Sequence, residues 1–171
     1  GAIPSLVGPS ALIYYEVDNN ALTGSIPDLS AQPSLFAFTA SGNQLTGELP
    51  NLDTLTQLAF FIVSDNDLEG SIPDLDSLSS MLYFEVDHNQ LSGPVPRLDA
   101  LQELAGFRIG YNRLSGDMPP VPSPNQLLSG YSQLCPNALN ETDDPDWDAA
   151  VGVYPWYLYC NLVFANGFDG S

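Results

Sequence analysis

The segment Asn20-Ala-Leu-Thr-Gly-Ser-Ile-Pro27 decides how this chain folds, because close copies of it recur along most of the sequence. The copies begin at Asn43, Asn66, Asn89 and Asn112, so a 23-residue period holds at every step. A period of this length with leucines at fixed offsets is typical of a solenoid, in which each unit packs on its neighbours. The sequence therefore predicts one continuous core shared between the repeats.

Apolar residues recur in columns ahead of and within this segment. One column is an aromatic spine, formed by Tyr15, Phe38, Phe61, Phe84 and Phe107, and another, two residues later, is formed by Val17, Ala40, Val63, Val86 and Ile109. In a strand, residues two apart point to the same face. The columns therefore predict short strands at 14–18, 37–41, 60–64, 83–87 and 106–110, stacked as a parallel sheet.

The invariant residues of the segment suit structural roles. A buried asparagine at the turn after each strand has to be satisfied, and we expect its amide to bond the backbone of its own and the adjacent turn. The following glycine permits backbone geometry closed to other residues, and the proline fixes a bend. On the side opposite the strands, Asp53, Asp76 and Asp99 are predicted to cap single helical turns.

The chain divides into repeats at 1–124, a cap at 125–160 and a tail at 161–171. Residues 1–6 match 24–29, so we expect the chain to start inside a repeat of a longer parent. Cys135 and Cys160 are an even pair in the cap, and a disulfide is favoured over metal binding or redox chemistry. The acidic loop that contains Asp143 and Asp148 is expected to be solvated, although its composition also raises the alternative of a calcium site.

Composition excludes several functions. The net charge is −18, with no lysine and three arginines, which argues against nucleic acids and anionic membranes as partners. No stretch is apolar enough and long enough for membrane insertion. His88 is the single histidine, and Glu16 and Glu85 would lie roughly 14 Å apart across three repeats, too far for glycosidase carboxylates. We therefore predict no enzymatic activity, no cofactor and no metal.

The pattern L-x-x-[YF]-x-V-x-x-N-x-L-x-G-x-I-P resembles the leucine-rich repeat family, and Leu22–Pro27 and Leu45–Pro50 resemble its plant-type subclass. The resemblance implies an α/β-type solenoid, a right-handed horseshoe with a concave parallel β-sheet. The 23-residue unit, the aromatic spine and the cap depart from plant members. The cap and the tail at 162–169 look more like those of exported bacterial members, so we expect a secreted or surface protein, extracellular or at the cell surface.

Members of this family usually meet ligands on the concave sheet. The strand residues that point away from the core give the candidate ligand-binding positions Tyr14, Glu16, Asp18, Phe60, Ile62, Asp65, Tyr83, Glu85, Asp87, His88, Arg108 and Tyr111. Exposed aromatic side chains bordered by acid suit recognition of a basic protein or peptide, with a glycan as the next candidate. Two alternatives stay open: cross-strand packing that only stabilises the sheet, and a structural protein that self-associates through its uncapped N-terminal edge.

Overall fold

The computed structural model describes residues 1–8, 11–158 and 160, and it shows a parallel β-solenoid of about five turns. The predicted sheet is present, and every neighbouring pair of its strands is parallel, with partners one repeat apart. Each strand has three residues instead of five, because the chain turns soon afterwards through a residue in the left-handed region. The sheet consists of β1 (Tyr14–Glu16), β3 (Ala37–Thr39), β5 (Phe60–Ile62), β7 (Tyr83–Glu85) and β9 (Gly106–Arg108).

A second set of parallel strands, two to five residues long, follows the turns and forms two further sheets. One contains β2 (Thr23–Gly24), β4 (Gln44–Glu48) and β6 (Asp67–Glu69), and the other contains β8 (Ser92–Gly93), β10 (Arg113–Gly116) and β11 (Ala138–Leu139). These strands were not predicted, since they lie inside the turn motif and lack alternating apolar residues. Their pairing gives the solenoid a second hydrogen-bonded side.

The core is the predicted set of stacked columns. Spine rings Tyr15, Phe38, Phe61, Phe84 and Phe107 stack at centroid separations of 5.4–5.8 Å, with interplanar angles of 8–26°. Phenylalanines of the spine are fully buried, whereas Tyr15 in the first turn is only half-buried. Each buried ring contributes on the order of 2–3 kcal/mol of burial free energy.

The asparagines form the predicted ladder of backbone contacts, and Asn66 illustrates it. Its amide nitrogen donates to the backbone oxygens of Val63 and Ser64 in its own repeat, both at 3.2 Å. The same nitrogen donates to the oxygen of Ala40 in the preceding repeat at 3.0 Å. Its Oδ1 accepts from the N–H of Leu45 at 2.9 Å. Asn43, Asn89 and Asn112 join two consecutive turns in the same way, whereas Asn20, within the described part of the chain, bonds only within its own turn, so the role of these asparagines is structural.

The side opposite the five-stranded sheet consists of turns, and the helical turns predicted there do not form. Asp53 is not the capping residue either, because its own N–H donates to Oδ1 of Asn51 at 2.7 Å. Asp74 accepts from the N–H of Asp76 in the same way, at 2.9 Å. Side-chain acceptors two residues earlier therefore hold these turns.

The cap contains the single helix of the described residues, α1 (Pro145–Val151). Asp144 caps its N-terminus by accepting from the N–H groups of Asp146 and Trp147. Asp148 is buried and accepts from the N–H of Trp156. Part of the acidic loop therefore belongs to this helix and its contacts, which corrects the expectation that the loop is solvated throughout.

Trp147 closes the end of the aromatic spine. Its ring lies 6.1 Å from that of Phe107, and its Nε1 donates to the oxygen of Pro119 at 2.7 Å. The predicted disulfide between Cys135 and Cys160 is present, with a Cα–Cα distance of 4.6 Å. Trp147 of the helix thus fastens the cap to the last repeat, and the disulfide joins two segments within the cap.

The asparagine ladder extends into the cap. Asn137 accepts from the N–H of Leu114 at 2.9 Å and donates to the oxygen of Ile109 at 2.8 Å, so it acts as a sixth member. A strict 23-residue period after Asn112 falls on Cys135, and Asn137 lies slightly beyond it, so the period does not identify Asn137 as a member of the ladder. The division of the chain at residue 124 therefore stays a prediction, and the predicted tail at 161–171 lies outside the described residues.

Candidate functional site

The face of the five-stranded sheet that points away from the spine, called here the open face, carries the candidate residues. Tyr14, Phe60 and Tyr83 occupy the first position of their strands, and the register aligns Phe60 with Tyr83 on neighbouring strands. The row two residues on consists of Glu16, Thr39, Ile62, Glu85 and Arg108, aligned strand to strand. The structure therefore brings these two predicted rows together on one surface.

A ladder of aromatic rings crosses the strands at the start of the sheet. Its ring centroids are separated by 5.8 Å between Tyr14 and Phe36, by 5.5 Å between Phe36 and Phe60, and by 5.7 Å between Phe60 and Tyr83. Tyr14 is 59% exposed, and the other three rings are half-buried. Phe60 and Tyr83 stack at an interplanar angle of 15°, whereas the planes of Tyr14 and Phe36 are inclined at 67° and those of Phe36 and Phe60 at 58°.

Sequence reasoning missed Phe36. The corresponding position in the aromatic row is Ala37, which is small and buried, and the ring comes instead from the residue before it. The signal that could have revealed it is a second apolar column at the 23-residue period, immediately before the strands. That column consists of Ile13, Phe36, Ala59, Leu82, Ala105 and Leu128.

The two columns combine into one apolar strip along the start of the sheet. At its far end, a Cβ on Gly106 would meet both the ring of Tyr83 and the backbone oxygen of Tyr131, so the ring lies over this glycine. Leu128 and Tyr131, at 46% and 55% exposure, continue the surface into the cap. The apolar strip is defined as Ile13, Tyr14, Phe36, Phe60, Leu82, Tyr83, Leu128 and Tyr131.

Asp87 lies at the centre of a polar network beside this strip. It is buried, and its carboxylate accepts from Ser64 Oγ at 2.6 Å and from the Arg108 guanidinium at 3.2–3.3 Å. Burial acts to raise the pKa of Asp87, but hydrogen bonds from Arg108, Ser64 and His88 outweigh it, so the pKa is lowered. The Asp87 carboxylate is thus bonded to Ser64, His88 and Arg108 of the chain itself, and we infer that its role is to position the Arg108 guanidinium.

Arg108 is correspondingly engaged. Besides Asp87 it donates to Gln133 Oε1 at 2.7 Å, and it lies 3.9 Å from Glu85. Burial raises the pKa of Glu85, the nearby Arg108 lowers it and Asp87 raises it further, with a net upward shift. The central part of the open face is thus a paired network, with negative charge in excess of positive.

The remaining acids of the open face are more accessible. Glu16 is exposed, and the Asp65 side chain is 66% exposed. Asp18 is half-buried, and it accepts from Thr39 Oγ1 and from the N–H of Ser41. Two open-face carboxylates are therefore exposed for interaction with a cationic partner.

The last predicted row lies where the chain leaves each strand. Asn19, Asp65, His88 and Tyr111 all adopt φ of 53–55°, a left-handed conformation that non-glycine residues rarely take. The rings of His88 and Tyr111 stack at 4.1 Å, and His88 Nδ1 lies 2.9 Å from Asp87 Oδ2. The predicted residues His88 and Tyr111 therefore form one ring pair beside Asp87.

The network around Asp87 does not have the geometry of a catalytic triad. Ser64 and His88 both contact Asp87, so the carboxylate lies between them, whereas a triad needs the histidine between the hydroxyl and the carboxylate. Among the described residues, no group of three or more His, Cys, Asp or Glu side chains is placed to hold a metal ion. A search of the same residues for a helix long and apolar enough to cross a bilayer finds none.

Comparison with known proteins gives structural matches alone. No family model and no curated protein matches the chain. Its fold is similar to the LRR ectodomain of the Arabidopsis thaliana membrane receptor kinase GASSHO1/SCHENGEN3 in complex with Casparian strip integrity factor 2. That match has a TM-score of 0.66 and 26% identity, over 76% of this chain and 16% of that one.

Two further ectodomains from Arabidopsis match in the same way. The receptor kinase HAESA, in complex with an N-terminally extended IDA peptide hormone, gives a TM-score of 0.66 and 29% identity over 75% of this chain and 22% of that one. The BIR2 ectodomain matches with a TM-score of 0.62 and 32% identity, over 73% of this chain and 67% of that one. The chain thus spans less than a quarter of the first two ectodomains.

Proposed function

Because this chain is a leucine-rich repeat protein, we propose that it is a non-enzymatic recognition module that binds a protein or peptide through the open face. The observation that carries the proposal is the apolar strip beside exposed acids on a regular sheet. Exposed contiguous apolar surface with a polar border is typical of protein interaction sites. The HAESA ectodomain, which has a similar fold, binds a peptide hormone.

The charge of the chain selects the partner. With a net charge of −18, the surface attracts a basic protein or peptide and repels nucleic acids and anionic bilayers. Arg108, the one arginine in the predicted site, is already paired with Asp87. The open face therefore offers negative charge to a partner.

A glycan is the weaker candidate for the same surface. Sugar rings stack on exposed aromatic faces, but Phe36 and Phe60 each have aromatic neighbours on both sides. Phe36 and Phe60 are also half-buried, which leaves less of each ring accessible to a sugar. This arrangement supports a polypeptide partner.

The proposed location is extracellular or at the cell surface, in keeping with the ectodomains of similar fold and with the disulfide. The motif Leu-Thr-Gly-x-Ile-Pro supports the plant-type subclass of the family. The sequences of the cap and of the tail at 162–169 support a bacterial secreted or surface member. The concave curvature of the open face belongs to the same proposal.

The test is a selection from a random peptide display library on the immobilised chain, in parallel with a glycan array. We expect enriched peptides to be basic, and their binding to weaken for Tyr14→Ala combined with Phe60→Ala. Tyr154→Ala, which removes an exposed aromatic ring from the cap, is the matched control. Binding that is equal in all variants would move the site away from the open face, and glycan binding alone would replace the polypeptide partner.

The alternative is a structural protein that self-associates through its N-terminal edge. The half-buried core residues of the first turn, Leu12, Tyr15, Val17 and Leu22, favour it, since later turns bury the same columns completely. Sedimentation velocity over a range of concentrations separates the two functions. A strict monomer at high concentration would eliminate self-association.

A further inference from the structure

Resting on this proposed function, we infer that the partner docks on the apolar strip as a basic amphipathic α-helix, with its axis along the solenoid and across the strands. The strip supplies the apolar contact, and the acids of the open face supply the charge. Three properties of the strip carry this inference: its rung spacing, its length and the position of the acids beside it.

The rung spacing matches a helix better than an extended strand. Successive ladder rings are 5.5–5.8 Å apart. A helix repeats every turn at about 5.4 Å, so its apolar ridges stay close to the grooves between rings over the whole ladder. Same-face side chains of an extended strand recur at about 6.7 Å, which gives a mismatch of about 3 Å after three rungs.

The length of the strip also suits a short helix. From Ile13 to Leu128 the column crosses five repeat steps. Backbone strands stack about 4.8 Å apart and the ladder rings are 5.5–5.8 Å apart, so the strip is about 24–29 Å long. At about 1.5 Å per residue, this corresponds to a helix of about 16–19 residues. A helix of ordinary length in globular proteins therefore covers the strip.

The acids lie where the flank of such a helix would place its basic residues. Glu16, which is exposed, is two residues beyond Tyr14 on the same face, about 7 Å from the aromatic row, and the exposed Asp65 lies beyond the end of the strand that begins at Phe60. A helix with side chains has a radius of about 5–6 Å, and lysine and arginine can extend their charged ends beyond it. Apolar contact and charge pairing are thus compatible in one pose.

Charge selects a basic partner over other occupants of the strip. A second copy of this chain also carries a net charge of −18, so the acids of the open face would repel it, and they would repel an anionic bilayer in the same way. Of the three arginines, Arg97 is paired with Asp99 and Arg108 with Asp87. The open face therefore complements a cationic helix.

Three synthetic peptides of equal length test the inference by fluorescence anisotropy with the full chain. The first arranges leucine and lysine at helical period, the second has the same composition in strict alternation, and the third is the first with glutamate in place of lysine. We expect the helical basic peptide to bind about tenfold or more tightly than the alternating one. The acidic peptide should not bind, and carbonyl chemical shifts should show helix formation on binding.

Variants at the two ends of the strip keep the test specific. Tyr14→Ala and Tyr131→Ala remove exposed rings, so both should fold, and each should weaken binding of the helical peptide about fivefold or more. Tyr154→Ala should leave it unchanged. If Tyr14→Ala and Tyr131→Ala both leave the affinity unchanged, the peptide binds by unspecific charge attraction, and the strip is not the docking site.

The outcomes also separate this inference from the function on which it rests. If the alternating peptide binds as tightly as the helical one, and Tyr14→Ala weakens it, the helix is wrong and the peptide-binding function stands. If neither basic peptide binds more tightly than the acidic one, recognition of a basic partner by the open face is itself wrong.

Discussion

Replacement of Asn66 by alanine tests the account of the repeat most directly. The substitution removes the acceptor of the Leu45 N–H, which the described hydrogen bonds pair only with Asn66 Oδ1. The three carbonyls that lose a bond each keep another donor: Ala40 O keeps Asn43, Val63 O keeps Asn89, and Ser64 O keeps the N–H of Gly42. One buried N–H is therefore left unpaired.

The expected magnitude follows from that single orphaned group. A buried donor without a partner costs about 1–3 kcal/mol, and the small void adds to it, so we expect Asn66→Ala to lower the free energy of unfolding by about 2–3 kcal/mol. Asn66→Asp should cost more, because a carboxylate would then face the carbonyl oxygens of Ala40, Val63 and Ser64.

Asn20 supplies a matched control within the same column. It is exposed and donates to the oxygens of Val17 and Asp18 at 3.0 and 2.9 Å, but among the described residues it accepts from no backbone N–H. Asn20→Ala should therefore cost about 0.5–1 kcal/mol.

Urea unfolding followed by far-UV circular dichroism, together with fluorescence of Trp147 and Trp156 in the cap, measures these differences. The comparison requires that the free energy of unfolding falls with urea concentration at the same slope in all variants, since equal slopes show that unfolding exposes the same amount of surface. Equal losses for Asn66→Ala and Asn20→Ala, or a milder effect of Asn66→Asp than of Asn66→Ala, would refute the reasoning.

Three further changes probe the cap and the polar network. Trp147→Ala should lower the free energy of unfolding by about 3–5 kcal/mol, because its ring covers Phe107, and melting of the cap signal before the sheet signal would be the check. Asp87→Asn should destabilise the chain at neutral pH, and the loss should become smaller as the pH falls through the lowered pKa of Asp87 in the folded state. A carboxyl group with a depressed pKa stabilises the folded state at pH values above its pKa in the unfolded chain, and this contribution disappears once the group is protonated. A difference in free energy of unfolding between the two proteins that does not change with pH would contradict this. Gly110→Ala should destabilise the chain, because its Cβ would meet the backbone carbonyl of Cys135, and a calorimetric melting temperature equal to that of the unchanged chain would show that the cap can move aside.

Periodicity predicted the main sheet and the core of the repeats, but not the second set of strands or the form of the turns opposite the sheet. Strand positions, register and the spine follow from residues one period apart, and so does the role of the asparagines, because each repeat meets the same neighbours. The Cys135–Cys160 disulfide followed from an even pair outside the repeats.

Features that depend on neighbours outside one column were harder to predict. Phe36 keeps the period, but it belongs to the column one residue before the aromatic row, and small residues such as Ala59 and Ala105 in that column conceal its apolar character. Asp87 was expected to be available, but donors from three different positions surround it, and the sequence does not show such convergence. Helix α1 had local signals, an Asp144-Pro145 start and a glycine after its end, but its seven residues are too few for a periodic pattern.

The aromatic spine is closed at one end of the described solenoid and half-open at the other, and this gives unfolding a direction. Phe107 packs on Trp147 under a disulfide-bonded cap, whereas Tyr15 remains half-buried in the first turn. In a quasi-one-dimensional stack, an unfolding front starts where the fewest neighbours must be lost. Amide protons should therefore exchange in order of repeat number, with the first turn fastest and the turns beneath the cap slowest.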